Sequence, residues 1–135
     1  MNKIEYPLAK DTISDHDIDN LINWLKTYPR LTKGELTVKF EKAWAKYIGT
    51  KYSVFCNSGS SANLLMAYAA KVAKPRNMKV VVPSVGWVTT IAPFMQFGFD
   101  PIMVGADAKT YGIDLDDLEK VCIEEDPATV IFVQV

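Results

Sequence analysis

The chain has 135 residues, 49% of them hydrophobic and 23% charged, with a formal net charge of −1. That length and balance suit one globular domain, and the near-zero charge speaks against a generic electrostatic grip on nucleic acid or on an anionic membrane. Two cysteines outside any CxxC pair, Cys56 and Cys122, and a single histidine, His16, argue against a zinc site or a disulfide framework. The start, MNKIEYPLAKD, carries no apolar core of signal-peptide type, and no apolar run reaches the ~18 residues that span a bilayer, so a soluble cytoplasmic protein is expected.

In chain order, Ser14-Asp-His-Asp17 reads as a helix start. Ser14 can cap, and Asp15 and Asp17 suit the positive end of the helix dipole. Ile18, Leu21, Ile22 and Leu25 then recur at helical spacing as one apolar stripe, with Pro29 closing the segment. His16 reads as a solvated residue of the capping turn. Leu31 to Leu36 is a connector with Gly34 as its flexible point. A second helix is predicted from Thr37, with Val38, Phe40, Ala43, Trp44, Tyr47 and Ile48 on one side as core and Gly49 at its end.

Tyr52 to Cys56 is predicted as a short strand and Ala62 to Val72 as a helix, ended by Pro75. Met78 to Val82 is a strand whose unbroken apolar run marks burial on both faces. Val88 to Phe97 is a helix with Pro93 as an irregularity and Gly98 at its end. Pro101 to Val104 is a strand, Asp114 to Cys122 a helix with early acids, and Ala128 to Val135 a last strand. This alternation specifies an α/β fold, a parallel or mostly parallel sheet with right-handed crossover helices. No repeat or linker divides the chain, so residues 1–135 are expected to form a single domain. The sequence stops within an apolar strand, Phe132-Val-Gln-Val135, which implies an edge strand or a piece of something longer.

Two stretches invite chemistry. Asn57-Ser-Gly-Ser-Ser61 lies between a strand and a helix. Free N–H groups at a helix start form an anion site, Gly59 allows close approach, and the hydroxyls of Ser58, Ser60 and Ser61 add donors. An N-cap and turn would use the same residues with no ligand. The order is neither GxGxxG nor a Walker loop. The second stretch, Pro83-Ser-Val-Gly-Trp-Val-Thr-Thr90, also follows the carboxyl end of a strand, where parallel sheets bind ligands. Trp87 can offer a flat face to a planar ring, or it can simply be core. Together, a phosphate loop and an aromatic plate on one edge suit a phosphorylated aromatic cofactor.

The blocks LTKGELTVKFEKAWAKYIGTKYSVFCNSGSSANLL, VVVPSVGWVTT and PIMVGADAKTYGIDLDDLEK, in this order, resemble the DegT/DnrJ/EryC1/StrS family, pyridoxal-phosphate enzymes acting on nucleotide-linked keto-sugars. The resemblance implies part of an aspartate-aminotransferase-type large domain, with pyridoxal phosphate or pyridoxamine phosphate as the cofactor of the whole enzyme. It also implies a nucleotide-sugar substrate and a homo-oligomer. It assigns Gly59, Ser60 and Ser61 to the cofactor phosphate, Trp87 to the face of the pyridine ring, and the Leu31–Gly34 loop to the approach of the sugar nucleotide. SGSSANLL with GWVTT is more similar to the 3-dehydratase branch than to the aminotransferases, which more often read SGTAAL and TFVAT. The family's ring-pairing Asp and its Schiff-base Lys, or the His that replaces it, fall beyond Val135. Lys33, Lys39, Lys51 and Lys79 do not match that Lys motif and are expected at the surface. Gln134 stands where many members carry His. No catalytic residue and no metal ligand is assigned within the chain, and turnover by this polypeptide alone is not expected. A non-catalytic module that binds a phosphorylated ligand or assembles with itself is the alternative.

Overall fold

The computed structural model describes residues 10–133, so the position of Gln134 lies outside the described residues. Phe55 closes one compact unit and Cys56 opens a second.

In the first unit, α1 spans Asp15–Leu25. Ser14 caps it reciprocally: the Asp17 N–H donates to Ser14 Oγ at 3.3 Å, and the Ser14 N–H donates to Asp17 Oδ2 at 2.9 Å. Those bonds, the Ser14 backbone N–H first, hold the Asp17 carboxyl below the usual carboxylate range. The predicted apolar stripe forms, yet Ile18, Leu21, Ile22 and Leu25 are all exposed. Helix α2, Glu35–Ile48, begins two residues before the expected Thr37, because Gly34 takes the N-cap position and its carbonyl accepts from the Val38 N–H at 3.2 Å. It ends as expected at Gly49, whose φ of +75° is a conformation that favours glycine.

Two expectations fail in this unit. The aromatic face of α2 is not core: Trp44 is 47% and Tyr47 81% exposed, and only Ala45 is buried in the helix. The rings cover one another instead, since residues three and four apart are helix neighbours. Phe40 stacks on Trp44 at 6.0 Å between centroids, Trp44 meets Tyr47 at 5.6 Å, and Phe55 packs edge-on to Phe40 at 5.7 Å. The segment Tyr52–Cys56 is also not a strand. A strand exists only through a ladder, and here a side chain takes that place. The Phe55 N–H donates to Glu41 Oε1 at 3.0 Å, and Ser53 Oγ donates to the Glu41 carbonyl at 2.6 Å.

The second unit holds the sheet. Helix α3 (Gly59–Val72) leads to β1 (Lys79–Pro83), α4 (Val88–Gln96), β2 (Asp100–Val104), α5 (Leu115–Glu125) and β3 (Thr129–Val130). The strands are all parallel, in the order β2-β1-β3. Val81 pairs with Ile102 on one side and with Val130 on the other. The central place of β1 explains its apolar run: Val80, Val81 and Val82 are buried, so both faces are covered. Ala67 of α3, Phe94 of α4 and Phe99 close this core, with Phe94 and Phe99 edge-to-face at 5.3 Å. Strand β3 is shorter than expected. Its pairing with β1 is anchored at the start, where Asn77 Oδ1 accepts from the Ala128 N–H at 3.2 Å and Arg76 pairs with Asp126.

Helix α4 ends at Gln96 with Phe97 as its C-cap, one residue short of the expected Phe97, and Gly98 follows with φ at +85°. Helix α5 is capped by Asp114, which accepts from the N–H groups of Asp116 and Asp117 at 3.0 Å each, and it runs past Cys122 to Glu125. No helix among the described residues is long and apolar enough to cross a membrane.

Candidate functional site

Helix α3 starts at Gly59, not at Ala62, so the Ser-rich stretch is the first turn of the helix as well as its approach. Ser58 is the N-cap: its Oγ accepts from the Ser61 N–H at 3.1 Å, and its carbonyl accepts from the Ala62 N–H at 3.0 Å. The Ser61 hydroxyl donates to Asn57 Oδ1 at 2.7 Å. Ser61 therefore has both its donors engaged in shaping the turn. The N–H groups of Gly59 and Ser60 find no acceptor among the described residues. A Cβ built on Gly59 would meet nothing within 4 Å, so the space over this turn is open. Two free N–H groups at the positive end of a 14-residue helix are an arrangement that favours an anion.

Trp87 is the N-cap residue of α4, in extended backbone, and makes no side-chain cap. It is 74% exposed, which removes the reading of Trp87 as core. Gly86 before it and the bend from Ser84 to Gly86 carry the chain from the carboxyl end of β1 into the helix. Both candidate elements thus sit at helix starts.

These two starts lie side by side. Asn63 Nδ2 donates to the Thr89 carbonyl at 2.9 Å, joining the second turn of α3 to the first turn of α4. Further along, the Tyr68 and Phe97 rings meet at 5.5 Å between centroids. Both contacts advance along both chains, so α3 and α4 run in the same direction with their N-termini together. Sequence reading overlooked Asn63. Its trace was Pro93: proline has no N–H, so the Thr89 carbonyl, four residues earlier, lacks its helical donor. The sequence exposes that gap, but only the fold supplies Asn63 to fill it.

The Leu31–Gly34 loop lies in the first unit, where Trp24, Arg30, Thr32, Gly34, Leu36 and Lys39 border a cleft of about 510 Å³. Lys33 pairs with Glu41 at 3.1 Å, Lys39 with Glu35 at 2.9 Å and Lys79 with Glu125 at 2.9 Å, while Lys51 lies over the Tyr52 ring. His16 is exposed, and Cys56 and Cys122 are free thiols. Among the described residues no group of three or more His, Cys, Asp or Glu side chains could hold a metal ion.

Comparison with known proteins identifies the family. The profile of the DegT/DnrJ/EryC1/StrS aminotransferase family matches residues 12–135. The chain belongs to that family. A GDP-4-keto-6-deoxy-D-mannose 3-dehydratase of Yersinia pseudotuberculosis is 40% identical over 129 residues, which are 93% of this chain and 33% of the relative. A GDP-perosamine synthase of Caulobacter vibrioides is 30% identical over 112 residues, 83% of this chain and 30% of the relative. Among solved structures, the E. coli GDP-4-keto-6-deoxy-D-mannose-3-dehydratase with bound hydrated PLP superimposes with a TM-score of 0.81 at 33% identity, over 98% of this chain and 34% of that one. The chain thus spans about a third of the length of the relatives it matches.

Proposed function

We propose that this chain is the amino-terminal part of the large domain of a pyridoxal- or pyridoxamine-phosphate enzyme that acts on a nucleotide-linked keto-sugar. The observation that carries the reading is the pair of helix starts, free N–H groups at Gly59 and Ser60 beside a helix entered through the exposed Trp87. The residues fit such a cofactor. Gly59 and Ser60 have donors to give a phosphate and open space above them, and Ser61 holds the turn in shape through Ser58 and Asn57. Trp87 has a bare aromatic face for a planar ring. Pyridoxal phosphate, when bound, supplies an electron sink for bond changes next to a carbonyl-derived carbon.

The chain's own contribution is binding and orientation. The side chains of the two helix starts are hydroxyls, an amide and an indole, and none is a base near neutral pH. Proton transfer therefore belongs to other residues of the whole enzyme, and the chain alone does not turn over. Removal of the sugar's 3-hydroxyl is favoured over amine transfer, because SGSSANLL and GWVTT accompany 40% identity to a relative named as a 3-dehydratase. The GDP-perosamine synthase relative keeps amine transfer as the second reading. The Leu31–Gly34 loop, with its cleft and the guanidinium of Arg30, is our choice for the approach of the nucleotide. Self-association, as a dimer or larger, completes the proposal.

The test is a titration of the purified chain with pyridoxal phosphate, read as quenching of Trp fluorescence. Saturable quenching is expected in the parent chain and is expected to disappear in Trp87→Ala. Borohydride should trap no adduct at one specific lysine. Absence of saturable quenching would sink the cofactor reading and leave a module without this ligand.

A further inference from the structure

We infer that Asn63 is a positioning residue: its bond to the Thr89 carbonyl sets the spacing between the start of α3 and the start of α4, and with it the fit of a ligand that carries both an anion and a planar ring. The inference rests on the cofactor reading proposed above.

The physical case begins with Pro93. It lies inside α4 and is buried. Its nitrogen carries no hydrogen, and its ring displaces the carbonyl four residues before it, which is that of Thr89. A partly buried carbonyl without a donor is destabilising. Asn63 Nδ2, at 2.9 Å, is the donor it finds, and because the partner is a carbonyl the amide must turn its NH₂ end toward it. The packing that α3 and α4 share in the core, through Ala67 and Phe94, is apolar, and apolar contact is non-directional and tolerates sliding. The hydrogen bond does not tolerate it. Asn63 follows the Ser58–Ser61 turn on the same helix, and Thr89 stands two residues after Trp87. One directional bond between two helices therefore fixes the anion site relative to the ring plate, as supporting contacts on rigid elements do.

This arrangement separates a positioning role from a merely structural one. In Asn63→Leu the Thr89 carbonyl loses its donor. In the double variant Asn63→Leu/Pro93→Ala, the backbone N–H gained at position 93 can satisfy that carbonyl within α4, while the tie to α3 stays broken. The experiment compares the parent chain, both single variants and the double variant. It measures the urea midpoint, the affinity for pyridoxal phosphate by Trp87 quenching, and the affinity for inorganic phosphate by competition with it.

The expected result is a lowered midpoint in Asn63→Leu that recovers in the double variant. Affinity for pyridoxal phosphate should fall about tenfold in both variants that lack Asn63, the scale of a contact-level coupling. Inorganic phosphate touches only the α3 start, so its affinity should stay within about twofold of the parent value, within the scatter of independent sites. Recovery of pyridoxal phosphate affinity in the double variant, or equal weakening of both ligands, overturns the positioning role and leaves the site reading standing. A parent chain with no Trp87-dependent quenching overturns the site reading itself, and this inference with it.

Discussion

At the scale of single residues, Gly59 separates what the fold needs from what a ligand needs. It sits in the first turn of α3, and a Cβ there would meet no neighbouring atom within 4 Å. The fold has no steric use for the missing side chain. Gly59→Ala should therefore leave stability unchanged or raise it by up to about 1 kcal/mol, through the unfolded chain's lost freedom. The same methyl would enter the open space beside this turn that the proposed phosphate uses, so affinity for pyridoxal phosphate should fall several-fold. Urea denaturation and the quenching titration on one preparation check both halves; unaltered affinity with unaltered stability would show that this turn holds no phosphate. The Ser-rich stretch was legible in the sequence as either a cap or a cradle, and the structure has it doing the first without using up the donors for the second. The exposure of Trp87 was not legible, because whether an indole is covered depends on elements distant in sequence.

At the scale of elements, Glu41 joins three segments of the first unit. Its carboxylate accepts from the Phe55 N–H at 3.0 Å and from Lys33 Nζ at 3.1 Å, and its carbonyl accepts from Ser53. The Phe55 N–H first, and Lys33 second, hold its acid form below the usual Glu range. Asp17, held by Ser14, and Asp107, held by Thr110 and Lys109, are lowered in the same sense. A carboxyl lowered in the folded state binds fewer protons there than in the unfolded chain. It contributes stability that is fully present above its unfolded value, and that stability is lost as pH falls through the folded one. The urea midpoint should therefore hold steady from neutrality down to the ordinary carboxylate range near 4.5 and decline below it. In Glu41→Gln part of that decline should vanish, because the amide does not titrate. A midpoint that rises on acidification through this window would refute the assignment. The sequence announced α2 by its spacing, but not this acceptor role, which arises where Phe55 returns to Glu41.

At the scale of the whole molecule, apolar surface is the feature that calls for explanation. Trp44, Tyr47 and Phe55 form an exposed aromatic face in the first unit. In the second unit, Met103 on β2 is 63% exposed, and β2 and β3 are the outer strands of the described sheet. Exposed apolar faces and open strand edges favour association. Sedimentation at tens of micromolar should accordingly give a mass of at least twice that of the chain. A single monomeric boundary at that concentration would refute self-association, and the affinity for pyridoxal phosphate could then be measured on the monomer alone.

What the sequence by itself determined were the features that short-range physics controls. The cap at Ser14, the glycine end of α2, the buried run of β1 and the parallel α/β alternation all follow from local hydrogen bonding and from hydrophobic period. Only the tertiary structure decided which extended segments find a partner, which aromatic residues stay bare, and which donor satisfies the carbonyl orphaned by Pro93. Tyr52 to Cys56 has the composition of a strand, yet strand pairing is a property of two segments, and in this structure Glu41 takes the Phe55 N–H. Asn63 reads as one more polar residue on a helix until Thr89, remote in sequence, is brought to 2.9 Å from it. A hydrogen bond of that kind has no local signature, because its energy depends on a distance that only the packed helices define.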